Sequence, residues 1–244
     1  MNGHHAAIDL RRRQVTATGL AWASVALTAT WAARAQAQAL AGLTERDAAS
    51  GLRTLLERGA GAAVALLGKA DGFWGNDLVR IPLPEWLQSA EGTLRLFGRG
   101  KDVDDLKLGI NRAAEQAVPQ AKALLVGAVK AMTVADAKGI LKGGEDSVTR
   151  FFADKTRAPL GEKFLPIVTQ VTNRIGLARR YNKLVEQGES LGLVNAADAR
   201  IERHVTAKAL DGLYLMIGEE ERKIRNDPVG AGSAILKRVF GALK

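Results

Sequence analysis

The sequence predicts an all-α fold, a single-domain multi-helix bundle that follows a cleavable N-terminal signal peptide. Apolar residues recur at helical spacing along almost the whole chain, and the alternation of a half-buried strand extends over no useful length. Residues 1–39 follow a different pattern, that of an export leader.

Arg11-Arg12-Arg13 supplies a basic start, the run from Gln14 to Ala33 is uncharged, and Ala33-Arg34-Ala35-Gln36-Ala37-Gln38-Ala39 places alanines where a signal peptidase reads small side chains. Cleavage is expected after Ala39, with Ala35 and Ala37 as the other positions that fit. The paired arginines and a middle diluted by Thr16, Thr18, Ser24, Thr28 and Thr30 resemble a twin-arginine signal, and an ordinary secretory signal fits equally. That dilution argues against a retained membrane span. Residues 40–244 are then the mature domain, in the periplasm.

The chain has no cysteine, which excludes a lipid-modified lipoprotein, disulfides and thiolate chemistry. His4 and His5 fall in the leader, so His204 is the one mature histidine; no multi-histidine metal site is possible and no cofactor is expected. Losing Arg11, Arg12, Arg13, Arg34 and Asp9 lowers the net charge from +9 to +6. Acidic residues are interspersed, and no aromatic-basic alternation points to nucleic acid. A chain of this size buries roughly 70% of its unfolded surface, enough for one core without staples.

Thr44 and Asp47 form a capping box for the first helix, whose buried side carries Leu52, Leu55, Leu56, Ala63, Leu66 and Leu67 before Gly68 and Gly72 end it. Gly59 and Gly61 weaken that helix unless a neighbour packs closely there. Residues 71–83 read as irregular, and Pro84 opens the next helix. Val103, Leu106, Ile110, Ala113, Ala114 and Ala117 hold one face until Pro119 kinks or restarts it, and Leu124, Leu125, Ala128, Val129 and Met132 continue it. Thr133 with Asp136 starts a short helix that Gly143-Gly144 closes. The helix of Val148, Phe151 and Phe152 is expected to stop near Pro159. Leu160, Phe164, Ile167, Val168, Val171 and Ile175 then form a stripe in which Pro166 predicts a late start or a kink. Ala196 to Asn226 is the expected centre of the core, because residues 209–217 are apolar nearly all round, and Asp227-Pro228 ends it. Ile235, Leu236, Val239, Phe240 and Leu243 make a last amphipathic helix beside Lys237, Arg238 and Lys244.

Particular strings carry a family resemblance. Gly72-Phe73-Trp74, Val79-Arg80-Ile81-Pro82-Leu83-Pro84, Asn111-Arg112-Ala113-Ala114-Glu115, Phe151-Phe152 and Lys208-Ala209-Leu210-Asp211-Gly212-Leu213 resemble the bacterial domain-of-unknown-function family numbered 4197. Glu219-Glu220-Glu221, Ile224-Arg225 and the closing Ile235-Leu236-Lys237-Arg238-Val239-Phe240-Gly241 fit as well, so the resemblance covers about residues 43–241. It implies an exported or envelope-located helical protein and brings no activity, ligand or catalytic residue with it.

The candidate ligand-binding residues are Glu220, Arg80, Asn111, Trp74 and Trp86. A projection at 100° per residue puts Val205, Ala209, Leu213, Met216, Ile217 and Ile224 on one side of the helix, with Glu220 near its middle. A carboxylate there is costly unless paired or protonated, which makes Glu220 a general acid or base, an anchor for a ligand head group, one half of a structural bridge to Arg80, Lys163 or a tyrosine, or part of a helix end that has already reached solvent. His204, Lys208 and Asp211 fall on the opposite, wet face and read as ordinary helix pairs, as do Glu219 with Lys223 and Glu221 with Arg225. Arg112 and Glu115 project away from the stripe and read as a surface pair or a contact with another segment, and Asn111, at the stripe's border, as a candidate lining of a cleft. Phe73, Trp74 and Trp86, with Ile81 and Leu83, fold onto the core or rim a groove for an acyl chain or a partner helix.

The expected function is a non-catalytic binding module for a hydrophobic ligand, lipid or protein partner, in a cleft near residues 73–86 and the Glu220 face. One alternative is a hydrolase-like acid-base enzyme using a buried Glu220 with Arg80 or Asn111. The other is a peripheral envelope protein in membrane contact through its C-terminal helix. Gly-x-Ser-x-Gly is absent, and Gly98-Arg99-Gly100-Lys101 lacks a phosphate-loop pattern.

Overall fold

Thr44 closes the capping box at the start of α1 (Glu45–Leu67): its hydroxyl accepts from Asp47 N–H at 3.0 Å, and the Asp47 carboxylate accepts from Thr44 N–H. The computed structural model describes residues 43–133, 135, 137–190 and 200–243. The leader with its Ala39 cleavage site, Asp136 and residues 191–199, where the segment expected from Ala196 begins, lie outside the described residues.

Among these residues there are eight helices and no strand, an all-α multi-helix fold. After α1 come α2 (Glu85–Leu96), α3 (Gly100–Ala131), α4 (Ala137–Leu141), α5 (Ser147–Arg174), α6 (Leu177–Ser190), α7 (Ile201–Asn226) and α8 (Ala234–Gly241). The four long helices form a closed ring of neighbours in which α1 packs on α3, α3 on α5, α5 on α7 and α7 on α1. The shorter helices lean on this ring: α2 on α3, α4 on α1 and α5, α6 on α3 and α5, and α8 chiefly on α1. One continuous cluster of buried apolar side chains runs through them all.

Gly59 has the close neighbour its position requires, because a Cβ there would stand 3.1 Å from Ile217 of α7. The stop expected near Pro159 is absent, and neither a late start at Pro166 nor a restart at Pro119 occurs. Helix α5 runs unbroken through both Pro159 and Pro166, and α3 runs through Pro119. The α5 prolines sit on its exposed side, and the carbonyls they leave without an N–H belong to Lys155 and Glu162, which are exposed as well. Phe152, Leu160, Phe164, Val168 and Val171 stay buried along one face. Gly176, at φ 69°, turns the chain from α5 into α6, a helix that no stripe in the sequence singled out.

Helix α8 docks on the bundle, with Leu236, Val239 and Phe240 buried. The Val239 side chain lies so close to Gly51 that a Cβ there would meet it at 2.8 Å. The apolar face that a membrane contact through this helix requires is therefore covered. Among the described residues no helix is long and apolar enough to cross a membrane.

Candidate functional site: a strapped basic cleft

Residues 81–84 form an irregular strap whose two prolines supply carbonyls but no N–H groups. Three helices satisfy its backbone with one side chain each. Asn111 of α3 accepts from Ile81 N–H at 2.8 Å and donates to Ile81 O at 3.0 Å. His204 of α7 bonds Pro82 O at 2.8 Å, and Gln88 of α2 donates to Leu83 O at 2.6 Å. Asn111 is fully buried, and its remaining N–H goes to Lys107 O, so the amide serves the strap and does not face a cleft.

The loop before the strap is held in the same manner. Glu115, buried on α3, accepts from Phe73 N–H at 3.1 Å and Trp74 N–H at 3.0 Å and pairs with Arg112, which also reaches Asp71. Of the two expectations for Arg112 and Glu115, the contact with another segment is the one formed: the loop folds over that side of α3 and brings its N–H groups to the buried Glu115 carboxylate, while Arg112 stays partly exposed. Phe73 is buried against α7, where a Cβ on Gly212 would approach its ring to 2.8 Å. Arg80 lies over the Trp74 ring at 5.4 Å, donates to Trp74 O and pairs with Asp77.

A cavity of about 590 Å³ opens on each side of the strap. Pro82, Leu83 and Gln88 line both. The first cavity adds Pro84, Glu85 and Trp86, Tyr181 from α6, Arg200 just before α7, and Arg203, His204 and Lys208 from α7. The second adds Trp74, Asp77, Arg80, Glu91 and Lys107. Charges in the second are matched internally: Lys107 meets Glu91 at 2.7 Å, Arg80 meets Asp77 at 2.8 Å, and the Lys107 hydrogen bond is the main cause that lowers the Glu91 pKa.

Charges in the first cavity are not matched. Three cations face one carboxylate, Glu85. Lys208 reaches Asp211 at 3.4 Å, whereas neither Arg200 nor Arg203 has an acidic partner among the described residues. Burial lowers the His204 pKa below its ordinary value and outweighs the hydrogen bond to Pro82, so the ring is neutral at pH 7. A carbonyl can only accept, hence His204 Nε2 carries the proton. Burial also raises the Tyr181 pKa, which keeps its phenol protonated. Trp86 Nε1–H donates to Tyr181 Oη at 3.0 Å with the rings edge to face, leaving the Tyr181 O–H free to donate.

Of the residues singled out from the sequence, Trp86 lies in the first cavity and Trp74 and Arg80 in the second. Asn111 stands behind the strap, and Glu220 lines neither cavity. His204 and Glu220 are sixteen residues apart on α7, about 24 Å at 1.5 Å per residue. The expected combination of Glu220 with Arg80 or Asn111 is therefore not formed, nor do the cleft and the Glu220 face make one site. Glu220 keeps 18% of its side chain exposed and pairs loosely with Arg58 at 3.6 Å and Lys223 at 3.7 Å.

The fully buried carboxylate is its neighbour Glu221. It accepts from Val148 N–H at 3.1 Å and from both the N–H and hydroxyl of Thr149 at 2.8 Å, capping α5 from another helix. Arg225 pairs with it at 2.8 Å and also holds Leu141 O and the Ser147 hydroxyl. The projection assumed one buried arc, but α7 is covered by α1 on one side and by α5 on another. A signal for Glu221 was present in its spacing, four residues after Ile217 and three before Ile224. Tyr181, Arg200 and Arg203 were missed. Two arginines at the first turn of a helix, where the macrodipole disfavours cations, were the available sign.

Among the described residues no group of three or more His, Asp or Glu side chains is placed to hold a metal ion. Fold and cleft together define an all-α multi-helix protein whose irregular strap separates two cavities. The chain belongs to the family described as Protein of unknown function (DUF4197), whose model matches residues 42–241. No curated protein and no solved structure matches it.

Proposed function

We propose that this protein is a non-catalytic binding module of the periplasm, with the strapped cleft as its ligand site. The observation that carries the reading is the strap itself: three helices each commit a polar side chain to hold a four-residue irregular segment between two cavities. Each cavity has the size of a small-molecule site and combines aromatic surface with a few polar groups. The N-terminal pattern supports export with cleavage after Ala39.

Native mass spectrometry of the protein purified from its own envelope tests the reading. A stoichiometric adduct is expected, lost when Trp86→Ala strips the aromatic wall while the circular dichroism spectrum stays helical. A bare polypeptide mass at every concentration overturns it. The same spectrum checks export, because the mature chain is expected to begin at Leu40, and an intact precursor overturns that part alone.

A further inference from the structure

We infer that the first cavity selects an anionic amphiphile, its carboxylate or phosphate group held between Arg200 and Arg203 and its apolar body laid against Pro82, Pro84 and the Trp86 ring. This rests on the binding reading above and names the ligand class for that site.

The argument begins with charge. The other cations around the strap have acidic partners: Lys107 has Glu91, Arg80 has Asp77, Arg112 has Asp71 and Glu115, and Lys208, in the same cavity, has Asp211. Arg200 and Arg203 have none among the described residues, yet both line one cavity. They also stand at the start of α7, a 26-residue helix whose aligned peptide dipoles already make that end positive. Two guanidinium groups there repel the helix end and each other, and an anion placed between them relieves both repulsions. A guanidinium presents its N–H groups as a planar fork that matches the paired oxygens of a carboxylate or phosphate.

The neutral groups agree with this reading. Tyr181 is 1% exposed, already accepts from the Trp86 indole and has its own O–H left to give to an oxygen acceptor in the cavity it lines. Lys208 adds a third cation one turn beyond His204. The opposite wall is different in kind. Two proline rings and the Trp86 ring have no charge to offer, which suits an apolar chain or ring and gives the ligand its second half.

Calorimetric titration of the full chain with decanoate, decyl phosphate and decan-1-ol, each below its aggregation threshold, tests the inference. Both anions are expected to bind at least about tenfold more tightly than the alcohol, with affinity falling as salt rises. The double variant Arg200→Gln, Arg203→Gln is expected to weaken the anions by about 10- to 100-fold. Alcohol binding should stay unchanged, and the melting temperature should not fall, since both arginines are exposed and their repulsion of the helix end is removed. Equal affinity for all three probes, unaffected by the double variant, overturns the ligand class and leaves the binding reading standing. Failure of every probe to bind the folded chain overturns both. Sedimentation with phosphatidylglycerol but not phosphatidylcholine vesicles, lost in the double variant, assigns the anion to a bilayer head group. Decyl phosphate binding without sedimentation assigns it to a free amphiphile.

Discussion

Asn111 and Ile81 exchange a reciprocal pair of hydrogen bonds, Ile81 N–H to Oδ1 at 2.8 Å and Nδ2 to Ile81 O at 3.0 Å, so that one side-chain amide replaces a neighbouring strand for the irregular strap. Both groups are buried, and truncating the amide leaves a donor and an acceptor of the backbone without partners. Asn111→Ala is expected to destabilise the protein by about 2–4 kcal/mol. The urea midpoint checks this; a change under about 0.5 kcal/mol would mean that the strap finds other partners.

Adjacent glutamates on α7 are expected to respond very differently to the same change. Glu221→Gln loses the buried charge that caps α5 and pairs with the partly buried Arg225, and should cost about 3–5 kcal/mol. Glu220→Gln removes two long, partly exposed contacts and should cost at most about 1 kcal/mol. Chemical denaturation of both variants decides the matter, and a more harmful Glu220→Gln would contradict the geometry.

His204 predicts a pH dependence of known sign. Its folded pKa is lowered, chiefly by burial and further by Lys208, against the opposing hydrogen bond to Pro82. Arg200, Arg203 and Glu85 face the same cavity. Below its ordinary pKa of about 6.5 the unfolded chain binds the proton more readily than the folded chain, so this contribution is full above that pH and is lost as pH falls through the folded pKa. The stability of the wild type relative to His204→Gln, in which the glutamine amide can still donate to Pro82 O, should decrease between pH 7.5 and pH 5. A relative gain on acidification would refute burial as the dominant cause.

At Gly212 a Cβ would stand 2.8 Å from Phe73 Cε1 and 3.4 Å from Val79 Cβ. The Phe73 ring has nowhere to retreat in the core, so Gly212→Ala is expected to destabilise by about 1–3 kcal/mol despite the better helix propensity of alanine. Thermal melts check the sign. The matching change at Gly61, where a Cβ meets nothing within 4 Å, should stabilise by up to about 1 kcal/mol.

Local signals were legible wherever the chain interacts with itself over a few residues. The Thr44 box, the end of α1 at Gly68, the irregular segment at 71–83 and the apolar faces of α3, α5 and α7 all follow from spacing and capping. Prolines were over-read: α3 and α5 run through Pro119, Pro159 and Pro166, all three on exposed positions, because the apolar face packed against neighbouring helices holds each helix together despite the missing N–H. Of the candidate residues, Trp74 and Arg80 lie in the irregular segment before the strap and Trp86 on the first turn of α2, whereas Tyr181, Arg200 and Arg203 reach the same region from distant parts of the chain.

Helix class, core faces and the loop that becomes the strap are properties of short sequence windows, and the sequence alone determined them. Which carboxylate is buried and which cations meet in one cleft was decided only by tertiary packing. Glu221 is buried because α5 begins against it, and Arg200, Arg203, Tyr181 and Trp86 converge because three segments far apart in the chain meet at the strap. Those energies depend on the angles at which helices cross, and no periodicity within a single helix encodes a crossing angle.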